Sequence, residues 1–139
     1  MEKMTIGKLG EIAVREYLVQ QGCFVVQCNY HAAGGHHEEI DIIACDGKHL
    51  IFTEVKSRKE GAMVAAQLAL TPQKRRRVLL CAQRFLMSHR LRITAEYYLQ
   101  QYPTQLQPRF DVACVTFRGR QVVGLEYYPN AFSLYDTAL

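Results

Sequence analysis

Residues 39–56 constrain the fold more than any other stretch of this chain. Glu39-Ile40-Asp41-Ile42-Ile43-Ala44 runs into Asp46-Gly47 and then into Ile51-Phe52-Thr53-Glu54-Val55-Lys56. An Asp-Gly pair between two apolar runs predicts a β-hairpin closed by a two-residue type I′ turn. That turn sets Cys45 against Lys48, Ile43 opposite Leu50, Asp41 opposite Phe52 and Glu39 opposite Glu54. Side chains alternate along a strand, and directly paired residues share a face. Glu39, Asp41, Phe52, Glu54 and Lys56 therefore emerge together, with Ile40, Ile42, Ala44, Ile51 and Val55 on the opposite face. Carboxylates stacked on one face repel unless a cation or a proton holds them. Hard oxygen ligands in that arrangement suit Mg²⁺ or Mn²⁺. A solvated face with its charges outward is the competing reading, and a one-residue slip in either strand would undo the clustering.

Composition agrees with one packed globular domain. A 139-residue chain fits one domain and buries about 68% of its unfolded surface. Half of the residues (49%) are apolar, enough for a core, and no apolar run approaches the roughly 18 residues that span a bilayer. The opening Met1-Glu2-Lys3-Met4 leads toward a mixed helix and not an apolar signal core. The five cysteines are an odd count without Cys-x-x-Cys, as expected of reduced thiols in a cytoplasm. A net charge of +4 permits a nucleic-acid partner without requiring one.

The remaining elements follow from caps and periodicity. Thr5 caps a first helix over about 6–21 that Gly22 ends, with Ile6, Leu9, Ala13 and Tyr17 as its apolar stripe. Glu11 lies at the edge of that stripe, placed either to pair with Arg15 at i+4 or to point inward as a ligand. Cys23 to Gln27 reads as a first strand, followed by a polar loop up to Glu38, then hairpin strands over about 39–44 and 49–57. Thr71 and Pro72 open a second helix that runs to about Ser88, with Lys74, Arg75, Arg76 and Arg77 in its first two turns. Cations there oppose the helix dipole, and a phosphate would reward both the side chains and the helix end. Arg92 to Tyr102 fits a short helix or a strand. Arg109 to Phe117 reads as a strand buried on both faces, and after a turn at Gly119 another runs over Gln121–Tyr127. No element is evident in the last twelve residues, 128–139. His31, His36 and His37 flank the acids, as exposed loop residues or as ligands and proton shuttles. The spacing gives no zinc site, no Walker loop and no serine nucleophile elbow.

Five segments in one order carry a resemblance. They are Gly7-Lys8-Leu9-Gly10-Glu11-Ile12-Ala13, Glu39-Ile40-Asp41-Ile42-Ile43-Ala44, Phe52-Thr53-Glu54-Val55-Lys56-Ser57-Arg58, Lys74-Arg75-Arg76-Arg77 and Arg109-Phe110-Asp111-Val112. Together they resemble the PD-(D/E)XK nuclease superfamily. The nearest match is the small YraN-like family of predicted nucleases, related to archaeal-type Holliday-junction resolvases. The chain departs from the family pattern at Glu38, where a Gly is usual, and at His31, where an Arg follows the Asn-aromatic pair.

The resemblance implies a restriction-endonuclease-like α/β fold, a mixed central sheet flanked by helices, spanning 1–139 as one domain with its core over about 5–127. It implies metal-dependent hydrolysis of DNA phosphodiesters, with branched or structured DNA as the substrate. Asp41, Glu54, the Val55 carbonyl and Glu11 would hold Mg²⁺ or Mn²⁺, with Glu39 and Gln73 as possible additions. Lys56 would orient or deprotonate the attacking water, and Arg58, Lys74, Arg75, Arg76 and Arg77 would hold DNA phosphates. Symmetric cutting of a junction requires two sites and hence a homodimer. Phe117, Tyr127, Tyr128 and Phe132 are the candidate apolar contacts, if they are not core. The alternative within the same family is a nuclease-fold protein that binds DNA or a protein partner without cutting.

Overall fold

The computed structural model describes residues 3–31, 39–61 and 93–132. Helix α1 covers Ile6–Gln20, followed by strands β1 (Phe24–His31), β2 (Glu39–Cys45) and β3 (His49–Lys59). Helix α2 covers residues 93–101. Strands β4 (Gln107–Arg118) and β5 (Gln121–Phe132) complete the sheet. The five strands lie in the order β1-β2-β3-β4-β5. All neighbours are antiparallel except β3 and β4, which run parallel. This is the mixed sheet flanked by helices of a restriction-endonuclease-like fold. None of the described helices is long and apolar enough to cross a membrane.

Each sheet face buries its own apolar cluster. Val14 and Leu18 of α1 pack on Ile42, Ala44, Ile51, Ala113, Val115 and Phe117. On the opposite face Tyr30, Ile40, Ile43, Leu50, Phe52, Phe110 and Val112 gather with Ala95 and Tyr98 of α2. The Phe52 and Phe110 rings stack at 5.4 Å, and Tyr98 meets Phe52 edge-on at 5.8 Å. Strand β4 feeds both clusters, as its two apolar sides predict. The stretch that fits either a helix or a strand is helical over residues 93–101, because Ala95 and Tyr98, three apart, must face the same cluster.

Helix α1 begins where its cap predicts, with Lys8 N–H donating to Thr5 Oγ1 at 3.1 Å. Its buried line is Gly10, Val14 and Leu18, rotated from the predicted stripe, with Ile6, Leu9 and Tyr17 on the flank. Gly10 explains the rotation. A β-carbon there would fall 2.1 Å from Ser57 Oγ, so the helix backbone rests directly on β3. That close approach brings Glu11, one residue on, beside the acidic end of the hairpin.

The hairpin turn differs from expectation. Cys45 pairs with Leu50, not with Lys48, and Ile43 pairs with Phe52. The Asp46 carboxylate accepts from Lys48 N–H at 3.0 Å and His49 N–H at 2.7 Å. Two capped amides hold a wider loop open, in which Gly47 has φ +93°. The slip is two residues, which preserves the facing of every β3 side chain. It moves Glu54, instead of Phe52, level with Asp41.

Three further expectations change. Ile40 joins Ile43 on the α2 side, not Ile42 on the α1 side. Strand β1 does not stop near Gln27 but continues to His31. Strand β5 extends past Tyr127 to Phe132, because Asn130 N–H donates to Asp111 Oδ1 at 2.8 Å and keeps the strand on the sheet. Pro129 is tolerated there because β5 is an edge strand. Among the candidate dimer contacts, Phe117 is 1% exposed and Tyr127 and Tyr128 pack against the two clusters, so these three are core.

Candidate metal site at the hairpin fork

The hairpin ladder between β2 and β3 runs from Cys45↔Leu50 only to Ile42↔Thr53. Beyond that pair the strands part, β2 staying with β1 and β3 with β4. Asp41 and Glu54 are the first residues past the split. Both are nearly enclosed, at 7% and 8% exposure. Asp41 Oδ2 accepts from the Val55 N–H at 2.8 Å, which fixes its carboxylate across the fork.

Burial raises the affinity of both groups for protons. For Asp41 the Val55 hydrogen bond opposes that rise, while the nearby charges of Glu11 and Glu39 add to it. For Glu54 the charge of Asp41 adds to burial and Lys56 opposes it. Two buried carboxyls facing each other cannot both ionise cheaply, so without a cation they share a proton. Lys56 Nζ stands 3.7 Å from Glu54 Oε1 with its side chain 36% exposed, close enough to act beside the acids and still reach solvent.

Two more carboxylates approach. Glu11, Glu39 and Asp41 each place an oxygen within 4.8 Å of the others. Glu11 pairs with Lys8 at 3.2 Å, one turn toward the helix start, and not with Arg15 as its i+4 spacing allowed. Arg15 instead contacts Cys28 Sγ at 3.7 Å. Glu39 meets His31 Nε2 at 3.1 Å, so His31 neighbours an acid of the cluster.

The fold thus brings together Glu11, Glu39, Asp41, Glu54, Val55 and Lys56 from three elements. Arg58, two residues beyond Lys56, is half-buried on the Cys114 side of the sheet, where burial pushes that thiol up to about 11. Gln73, Lys74, Arg75, Arg76 and Arg77 lie outside the described residues, as do His36 and His37.

Two features carried no role in the sequence reading. Asn29, on β1, lies against Glu11 and Lys8. Asp111, wholly buried on β4, accepts from Arg109 Nε at 3.0 Å and Nη2 at 2.8 Å, from the Tyr127 hydroxyl at 2.5 Å and from Asn130 N–H. Arg109 also reaches Asp46 at 3.5 Å, and the Tyr127 hydroxyl lies 3.0 Å from Thr53 Oγ1. Burial and the Asp111 charge both hold the Tyr127 phenol in its neutral form. The network joins β3, β4, β5 and the hairpin turn. The Arg-x-Asp spacing was its signal, since residues two apart on a strand share a face.

A fork of two strands holding buried carboxylates beside a lysine, with a helix-borne glutamate closing in, defines a PD-(D/E)XK nuclease-like α/β protein. Comparison with known sequences agrees. The profile of the uncharacterised protein family UPF0102 matches residues 10–115. A UPF0102 protein of Geobacter metallireducens is 35% identical over 136 residues, covering 96% of this chain and 97% of its own length. One from Saccharophagus degradans is 34% identical over 130 residues, covering 94% of each. The chain belongs to the UPF0102 family, the YraN-like group.

Proposed function

We propose that this protein is a Mg²⁺- or Mn²⁺-dependent endonuclease that hydrolyses DNA phosphodiesters, acting on branched or structured DNA in repair, recombination or DNA processing. The observation that carries the reading is the pair Asp41 and Glu54, buried face to face at the fork with Lys56 beside them. Buried carboxyls with no cation of their own between them are an unfavourable arrangement, and a divalent ion removes the conflict. The donors are all hard oxygens, which suits Mg²⁺ or Mn²⁺ and not a soft metal.

Asp41, Glu54 and Glu11 would hold the ion, with Glu39 and the Val55 carbonyl as further donors. The bound ion would lower the pKa of a water and neutralise charge on the phosphate. Lys56 would place its ammonium at the scissile phosphate and its attacking water, where negative charge grows in the transition state. The Val55 N–H holds Asp41 in place so that this carboxylate need not reorganise on binding. Arg58 and the basic run Lys74, Arg75, Arg76 and Arg77 would bind backbone phosphates, which carry no sequence information. A homodimer would supply two sites for a junction, and the protein would work in the cytoplasm.

The test is cleavage of duplex, flap, single-stranded and four-way-junction DNA with Mg²⁺ or Mn²⁺. Metal-dependent cutting that is lost in Asp41→Asn and Glu54→Gln supports the reading. Binding to these DNAs without any cutting replaces it with the non-cleaving alternative.

A further inference from the structure

Strands β1 and β2 change faces together at one pair of residues. Ile42 and Ala44 pack under α1, whereas Ile40 packs on the opposite face with Tyr30. Cys28 reaches Arg15 of α1, whereas Tyr30 does not share that side. Residues two apart on a regular strand share a face. Both breaks fall between the pairs Cys28↔Ile42 and Tyr30↔Ile40, where Asn29 lies level with Asp41. Asn29 has φ +54°, the left-handed region that asparagine tolerates better than other residues with a β-carbon. A strained backbone position beside a cluster of acids points to a role for that position. The side chain supplies one. In the amide orientation that satisfies both neighbours, Nδ2 donates to Glu11 Oε2 at 3.2 Å and Oδ1 accepts from Lys8 Nζ at 2.9 Å.

We propose that Asn29 is a positioning residue of the acidic site. Its left-handed backbone turns Asp41 toward helix α1, and its amide fixes the Glu11 carboxylate beside it. The inference deepens the divalent-cation reading of the fork and rests on it. Glu11 comes from a helix, Asp41 from a strand, and no backbone hydrogen bond links the two segments among the described residues. Asn29, level with Asp41 on the neighbouring strand, adds a polar contact to the Glu11 carboxylate. Replacing a partner that orients a metal ligand typically costs about 10–100-fold in metal affinity.

The test is Mn²⁺ titration calorimetry of the full chain carrying Asn29→Gly, Glu11→Gln, both together, or Asp41→Asn. Glycine accepts positive φ freely, so Asn29→Gly keeps the backbone and deletes only the amide. Asn29→Gly should weaken Mn²⁺ on the order of tenfold. The double variant should bind no more weakly than Glu11→Gln alone, because the amide acts through that carboxylate. An Asn29→Gly protein that binds like the wild type, while Asp41→Asn does not bind, overturns the proposal and leaves the site reading standing. Losses that multiply in the double variant overturn it too, since Asn29 would then act independently of Glu11. A wild-type protein that binds no Mn²⁺ overturns the site reading and the proposal with it. Should Asn29→Gly fail to fold, the Asn29 side-chain amide signal in the wild-type NMR spectrum decides. Movement on adding Mg²⁺ supports the proposal, and a signal that stays still refutes it.

Discussion

Replacing Asp111 by alanine tests how far the sheet depends on a single buried carboxylate. The change removes a group that is wholly enclosed and leaves the Arg109 guanidinium, the Tyr127 hydroxyl and the Asn130 N–H without their acceptor. Breaking a buried ion pair by deleting one partner costs about 3–5 kcal/mol, because the other charge stays behind unpaired. Arg109 is 20% exposed and keeps Asp46 within 3.5 Å, so the lower end applies, about 3 kcal/mol. The 139-residue chain has an unfolding entropy of about 0.3 kcal/mol/K at about 2.1 cal/mol/K per residue. The melting temperature should therefore fall by about 10 °C in calorimetry of the metal-free protein at neutral pH. Tyr127→Phe removes one donor without orphaning a charge and should cost about 1 kcal/mol, a third of that shift. Arg109→Met added to Asp111→Ala should recover part of the loss, since the unpaired cation goes with it. A fall below about 3 °C for Asp111→Ala would place the network among ordinary surface pairs and refute the reasoning.

Two other outcomes follow from the fork and one from the basic run. Asp41 and Glu54 hold protons more tightly folded than unfolded, so their contribution to metal-free stability is fully present below the ordinary carboxylate values of 3.8 and 4.5 and is lost as pH rises through the raised ones. Glu54→Gln should flatten that fall and stabilise the metal-free protein at neutral pH while sharply weakening Mn²⁺, and a melting curve with unchanged pH dependence would contradict it. Lys56→Ala should abolish DNA cutting with affinity for DNA within a few-fold of wild type, measured by single-turnover cleavage beside a binding titration. Near wild-type cutting would make the lysine structural. Replacing two of Lys74, Arg75, Arg76 and Arg77 by Gln should weaken all DNA sequences alike and lower the salt slope of binding by up to about two units, whereas an altered sequence preference would show base contacts.

The sequence by itself determined most of the described elements, though not all their ends, and most of the acids' company. Apolar alternation over residues 39–56, the Thr5 cap and the two-sided β4 are local patterns, and local patterns survive whatever the chain packs against. The facing of Glu54 and Lys56 also held, because a slip of two residues leaves strand facing intact. What the tertiary structure decided are the contacts set by pairs far apart in the chain. The hairpin register depended on two hydrogen bonds to the Asp46 carboxylate, which an Asp-Gly pair does not announce. The fully buried line of α1 depended on Gly10 meeting Ser57, forty-seven positions later, so periodicity alone found the flank of the packed face and not its centre. Ile40 changed sides next to the level of Asn29, a residue of another strand held in the left-handed region. Asp111 looked like one charge in an apolar strand until Arg109, Tyr127 and Asn130 closed around it. Periodicity records which face a residue presents, but a close approach, a kink or a buried charge is settled only by the partner that arrives from elsewhere in the chain.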